Sequence, residues 1–123
     1  MNKEELLKLL ETVKIDRNEF TLLSSSALVL RDIWEKAGDL DIAVTEEGLN
    51  QLKEHYNLTQ KPNGWYTVSE NIECVLDDME GKKEKCGEYY LQDIHNYLEY
   101  LNSSLREKDK LRIPIVEEYI KNR

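Results

Sequence analysis

The chain has 123 residues, which at about 150 residues per domain leaves room for one domain and excludes a large multidomain enzyme. Hydrophobic residues make up 40% and charged residues 34%, enough for a core beneath a heavily charged surface. Seventeen Lys and Arg against 25 Asp and Glu leave a net charge of -8, which disfavours bulk nucleic-acid binding because that grip needs cations to neutralise phosphates.

The opening MNKEELLKLL lacks the basic start, unbroken apolar stretch and small-residue cleavage site of a secretory signal. No apolar run approaches the roughly 20 residues of a membrane span, so a cytoplasmic protein without membrane association is expected. Leu6, Leu7, Leu9, Leu10 and Val13 place a broad apolar stripe on one side of a helix over 4–13. A short strand over 20–23 then runs into Ser24, Ser25 and Ser26, whose hydroxyls suit the free N–H groups of a helix start. The helix after them is predicted over 25–36, with Ala27, Leu28, Leu30, Ile33, Trp34 and Ala37 buried and Gly38 as its stop.

Asp39-Leu40-Asp41-Ile42-Ala43-Val44 alternates as a strand does, with both acids on one face. Thr45 caps a predicted third helix to Tyr56, with Leu49 and Leu52 inward. A strand over 57–60, the turn Pro62-Asn63-Gly64, and strands over 65–69 and 71–77 read as a β-meander. Residues 81–85, Gly-Lys-Lys-Glu-Lys, read as a charged loop. Ile94, Leu98, Leu101 and Leu105 carry a helix over 92–105, and Pro114 opens a last helix with Ile115, Val116, Tyr119 and Ile120. The fold expected is α+β, a mixed β-sheet flanked by helices in one domain over residues 1–123. Cys74 and Cys86, without C-x-x-C spacing and with two His in the chain, make no zinc site and are expected as reduced thiols.

In Asp39-Leu40-Asp41 the period of two sets the carboxylates about 6.5–7 Å apart along an extended chain, so they can converge on one cation. Like charges so close raise each other's pKa unless a cation neutralises them, and such oxygen ligands suit Mg²⁺ shared with substrate phosphates. The same spacing also fits a solvated turn at the start of a strand. In residues 71–77 alternation places Ile72, Cys74 and Leu76 inward and Glu73, Val75 and Asp77 on the opposite face.

The order of these parts carries a resemblance. Leu22-Leu23-Ser24-Ser25-Ser26-Ala27-Leu28-Val29-Leu30, followed by the acidic strand 39–44, resembles the core signature of the nucleotidyltransferase superfamily, the polymerase β-like fold, and within it the AbiEii-toxin-like and minimal branches. Arg106-Glu107-Lys108-Asp109 is similar to an R-x-K-D pattern in some of these proteins, and the matches together span about residues 20–120. The resemblance implies a transferase that moves a nucleoside monophosphate from a nucleoside triphosphate, ATP being the expected donor, to a hydroxyl acceptor with Mg²⁺. Asp39, Asp41 and a third acid, Glu73 with Asp77 second, are then the catalytic and metal-binding residues. Ser24, Ser25 and Lys108 are the expected nucleotide contacts.

The chain departs from the family pattern at Ser24, where the family has glycine, and at Glu73, where aspartate is usual. The alternative is a catalytically degenerate module of the same fold acting with a partner protein, as in toxin–antitoxin or phage-linked systems. Arg31, Lys36 and Arg106 are further cations that could meet a triphosphate, and Trp65 could stack a base. His55 and His95 read as surface residues. Tyr89, Tyr90, Tyr97 and Tyr100 suggest a surface at which a second copy or a partner completes the acceptor pocket.

Overall fold

The computed structural model describes residues 1–104 and 106–123; Leu105, expected on the apolar face of the fourth helix, lies outside the described residues. Helix α1 (Lys3–Thr12) starts in a capping box, Asn2 Oδ1 accepting from Glu5 N at 2.9 Å and Glu5 Oε1 from Asn2 N at 3.1 Å. A 3-10 turn (Arg17–Glu19) leads into β1 (Phe20–Leu22), α2 (Ser24–Leu30), β2 (Leu40–Val44) and α3 (Glu46–His55). Then come β3 (Thr59–Gln60), β4 (Tyr66–Ser69), β5 (Ile72–Leu76), β6 (Lys83–Cys86), β7 (Tyr89–Gln92), α4 (Ile94–Ser103), α5 (Glu107–Lys110) and α6 (Ile113–Lys121).

The seven strands form one mixed sheet in the order β3-β4-β5-β2-β1-β7-β6, in which β2 runs parallel to β5 and β1 parallel to β7. The protein is therefore α+β, as expected. Registered partners share a face, so the pairings Leu22↔Ile42, Ile42↔Cys74 and Leu22↔Leu91 place four side chains in one row. All four are fully buried, in one core with Leu6 and Leu10 of α1 and Leu52 of α3. A Leu→Ala change there removes about 2–5 kcal/mol. The opposite face carries the row Asp41, Glu73 and Thr67, set by Asp41↔Glu73 and Thr67↔Glu73. At the far side Leu28 of α2 joins Ile94, Tyr97 and Leu101 of α4 and Val116 of α6 in a second, smaller core.

Four expectations change. The helix predicted over 25–36 stops at Leu30, because Asp32 turns left-handed at φ 63 and the N–H groups of Asp32 and Ile33 close on the carbonyls of Val29 and Leu28 at 3.0 and 3.1 Å. That pattern is a Schellman stop, sealed by Leu28 and Ile33 in one apolar cluster; Gly38 plays no part in it. Residues 81–85 are not simply a charged loop, since Lys83–Cys86 is an edge strand paired with Tyr89–Gln92 across a two-residue turn. Gly87 takes φ 65 at the first turn position, where glycine meets no Cβ penalty. Gln92, assigned to the fourth helix, belongs to β7, and α4 begins after Asp93, whose carboxylate accepts from His95 N and Asn96 N. Finally, Leu76 points out of the core at 48% exposure, because β5 ends there.

Three other local signals hold. Thr45 Oγ1 accepts from Gly48 N at 3.0 Å and caps α3, Gly64 N closes the 61–64 turn on Lys61 O at 3.0 Å, and Pro114 sits in the first turn of α6. Among the described residues no helix is long and apolar enough to cross a membrane. Cys74 is buried and Cys86 exposed, both free; burial pushes the Cys74 thiol up to about 11.

Candidate active site

Where β1 ends, the chain bends at Ser24, which holds φ 51, a left-handed conformation that favours glycine. Leu23, not a serine, is the cap residue of α2, and no side chain caps that helix, so the serine hydroxyls do not play their expected role. Ser24 N instead donates to Gln92 Oε1 at 3.3 Å. Ser25 is buried in the first turn of α2, away from the open cleft described below. Ser26 is fully buried, and its hydroxyl donates to Asp39 O at 3.0 Å and accepts from Asp41 N at 3.3 Å. Ser26 thus staples the acidic segment to α2, a role sequence reasoning missed because a serine run reads first as a cap.

Asp41 lies on β2 and Glu73 on β5, and the parallel register makes them direct neighbours on one face. Asp39 precedes β2 and is exposed. Burial first, then the charges of Glu73 and Asp39, push the Asp41 carboxyl up to about 6 from 3.8, while Lys61 and Lys108 pull it the other way. Only Asp41 and Glu73 are paired in the sheet, but the charges of Asp39 and Lys108, singled out in the sequence, also bear on Asp41, as does that of Lys61. That residue was missed because its partner lies 12 residues ahead: Lys61 Nζ donates to Glu73 Oε1 at 2.5 Å and Oε2 at 2.9 Å. Asp77, the second choice, stands apart just beyond β5, where its Oδ1 accepts from Met79 N at 2.8 Å.

Oxygen donors carrying negative charge in excess at Asp41 fit a hard divalent cation such as Mg²⁺ in chemistry. Among the described residues, however, no group of three or more acids, histidines or cysteines stands as a ready-made cage. Asp39 at the strand entrance and Glu73 on its lysine account for the open arrangement.

Further along the same face lies a cleft of about 600 Å³, whose lining includes none of Asp39, Asp41 and Glu73. Leu23, Val75 and Met79 are its apolar lining, Trp65 stands at one rim, and Tyr97 and Tyr100 of α4 form a wall with rings stacked at 6.0 Å. Ser24 and Asp77 also face it.

The C-terminal motif does not pair Lys108 with Asp109. Asp109 is fully buried and accepts from Ser104 Oγ at 2.6 Å and Arg106 Nε at 2.7 Å, which leaves Lys108 exposed with its charge felt at Asp41. Arg31 is no triphosphate contact: its side chain is 2% exposed and ion-paired with Glu84 of β6. Lys36, His55 and His95 are on the surface. The four tyrosines do not form one patch, since Tyr89 and Tyr97 are buried, Tyr90 lies under Lys83 and Lys85, and Tyr100 alone among them is largely exposed. Compared with family models, curated proteins and solved structures, the chain matches none of them.

Proposed function

We propose that this chain is a Mg²⁺-dependent nucleotidyltransferase of the polymerase β-like fold, moving a nucleoside monophosphate from a nucleoside triphosphate such as ATP to a hydroxyl acceptor. The observation that carries the reading is the parallel register Asp41↔Glu73, which gathers acids from two strands on the open sheet face, one strand away from the Ser24 bend. Asp39 and Asp41 present the first oxygens and Glu73 the third. When bound, Mg²⁺ supplies charge neutralisation at the transferred phosphoryl group.

The chain's own residues do the rest. Lys108, exposed and with its charge felt at Asp41, offers a cation for triphosphate oxygens. The cleft beside Trp65 offers an apolar floor for the organic part of a substrate. In the reaction the acceptor oxygen bonds to the α-phosphorus, the bond to pyrophosphate breaks, and the hydroxyl proton passes to a neighbouring carboxylate. Ser24 at φ 51 adopts the backbone the family's glycine provides.

Calorimetric titration of ATP tests this. Wild-type protein is expected to bind ATP only with Mg²⁺ present, and the double variant Asp39→Asn/Asp41→Asn to lose that binding at least about tenfold; unchanged binding overturns the proposal. A second reading, a non-catalytic module that works through a partner protein, is favoured by one feature: Glu73 and Ser24 N are already satisfied by Lys61 and Gln92.

A further inference from the structure

The cleft lined by Trp65 and the two tyrosines holds a polar element that the fold orients and leaves half engaged. A backbone N–H can only donate, and Ser24 N donates to Gln92 Oε1 at 3.3 Å. Gln92 must therefore turn its nitrogen the other way, and its Nε2 donates to Asn96 Oδ1 at 2.7 Å. Each amide in this relay takes its direction from its neighbour, starting at the main chain. At its end Asn96 lines the cleft with its oxygen engaged, while its Nδ2, with two N–H groups, meets no protein acceptor among the described residues.

The aromatic wall is held in place as well. The Tyr97 hydroxyl accepts from Arg112 Nη1 at 2.9 Å and the Tyr100 hydroxyl from Arg106 Nη2 at 2.6 Å, and both arginines lie against the buried Asp109. The motif Arg106-Glu107-Lys108-Asp109 thus fixes one side of the cleft. Its floor adjoins the acids: Ala43 and Val75 are paired two residues beyond Asp41 and Glu73, so the apolar row begins about 6.5–7 Å further along the same face. Of the carboxylates in the lining, Asp77 already accepts from Met79 N and Glu99 is exposed to solvent.

A flat aromatic wall, an apolar floor and an oriented donor without an acceptor suit a planar ring that carries an acceptor on its edge. We propose that the cleft takes the base of the nucleotide and that Asn96 is its specificity-determining residue, donating to a ring carbonyl and so selecting oxo bases over amino bases. The inference rests on the reading of the substrate as a nucleoside triphosphate, and deepens it by naming the class of base. A carbonyl pairs with Asn96 Nδ2. An exocyclic amine in the same place sets donor against donor and leaves both groups stripped of water without a partner. ATP, an amino base, is then a usable donor but not the preferred one.

The test compares UTP with CTP, which carry a carbonyl and an amine at the same ring position, by calorimetry in the presence of Mg²⁺. The unaltered chain is expected to bind UTP about tenfold more tightly than CTP, a comparison independent of any folding defect. Asn96→Asp keeps the side chain's shape and its acceptor for Gln92 Nε2, places an oxygen where Nδ2 was, and puts a carboxylate in the first turn of α4, where the helix favours one. It is expected to reverse the order, so that CTP binds more tightly than UTP, whatever the added charge does to both. Equal binding of the two nucleotides by the unaltered chain, or a preference that Asn96→Asp leaves in place, overturns the assignment of Asn96 while the nucleotide reading stands. Binding of neither nucleotide overturns that reading and the assignment with it.

Discussion

Asp41 and Asp109 are both carboxylates drawn out of water, and the protein surrounds them in opposite ways. Burial by itself raises the pKa of Asp109, but the hydrogen bonds from Ser104 and Arg106, with the charges of Arg106 and Arg112, outweigh it and hold the carboxyl below its ordinary range. At Asp41 burial acts with the charges of Glu73 and Asp39, and those of Lys61 and Lys108 do not offset them. A carboxylate that fastens a loop brings its own cations within a few residues, as Asp109 does. One left short of positive charge holds its proton more tightly instead. Among the described residues three non-glycines take a positive φ: Ser24 at 51 and Met79 at 56 line the cleft, Asp32 at 63 ends α2, and each costs of order 1 kcal/mol.

Three changes break or sharpen this contrast. Asp109→Ala leaves Arg106 Nε and the Ser104 hydroxyl without their acceptor and takes the nearby negative charge from Arg112, and is expected to lower stability by about 3 kcal/mol in urea unfolding. A loss under about 1 kcal/mol breaks the comparison at its stronger end. Asp41→Asn is expected to act in the opposite sense. Asp41 binds its proton more tightly in the folded chain, near 6, than at the ordinary value of 3.8, so its contribution is fully present below about pH 4 and is lost as pH rises through 6.

Removing the charge should therefore raise stability at pH 7.5 by about 1–2 kcal/mol, after allowance for solvent screening, and flatten the fall between pH 4 and 6. Denaturation curves across that range check it, and a stability that instead climbs from pH 4 to 6 at this residue refutes it. The smallest effect is expected at the bend: Ser24→Gly should gain about 0.5–1 kcal/mol by relieving the left-handed strain, visible as a small rise in Tm. A loss there means that the Ser24 side chain contributes more than its backbone costs.

Much of this site was legible residue by residue. Period-two alternation placed Asp39 with Asp41 and Glu73 with Val75, and Thr45 and Pro62-Asn63-Gly64 announced a cap and a turn that the structure contains. The β6–β7 hairpin escaped because an edge strand written Lys-Glu-Lys-Cys carries the charges of a loop, although Gly87 two residues ahead of Tyr89 was a usable turn signal. The early end of α2 escaped for a similar reason. Ile33, Trp34 and Ala37 keep helical spacing, yet Asp32 at φ 63 takes the chain out of the helix while leaving those side chains inward.

Amino-acid order alone determined which side of each strand and helix is apolar, since that follows from a local period of 2 or 3.6 and the water it excludes. Only the tertiary structure decided that β5 lies parallel beside β2 rather than with its sequence neighbours alone, and hence that Glu73 meets Asp41. It also decided that Lys61, and not Lys108, is the cation in contact with Glu73. Charge partners are chosen by distance through space, and Coulomb energy falls with that distance whatever the separation along the chain.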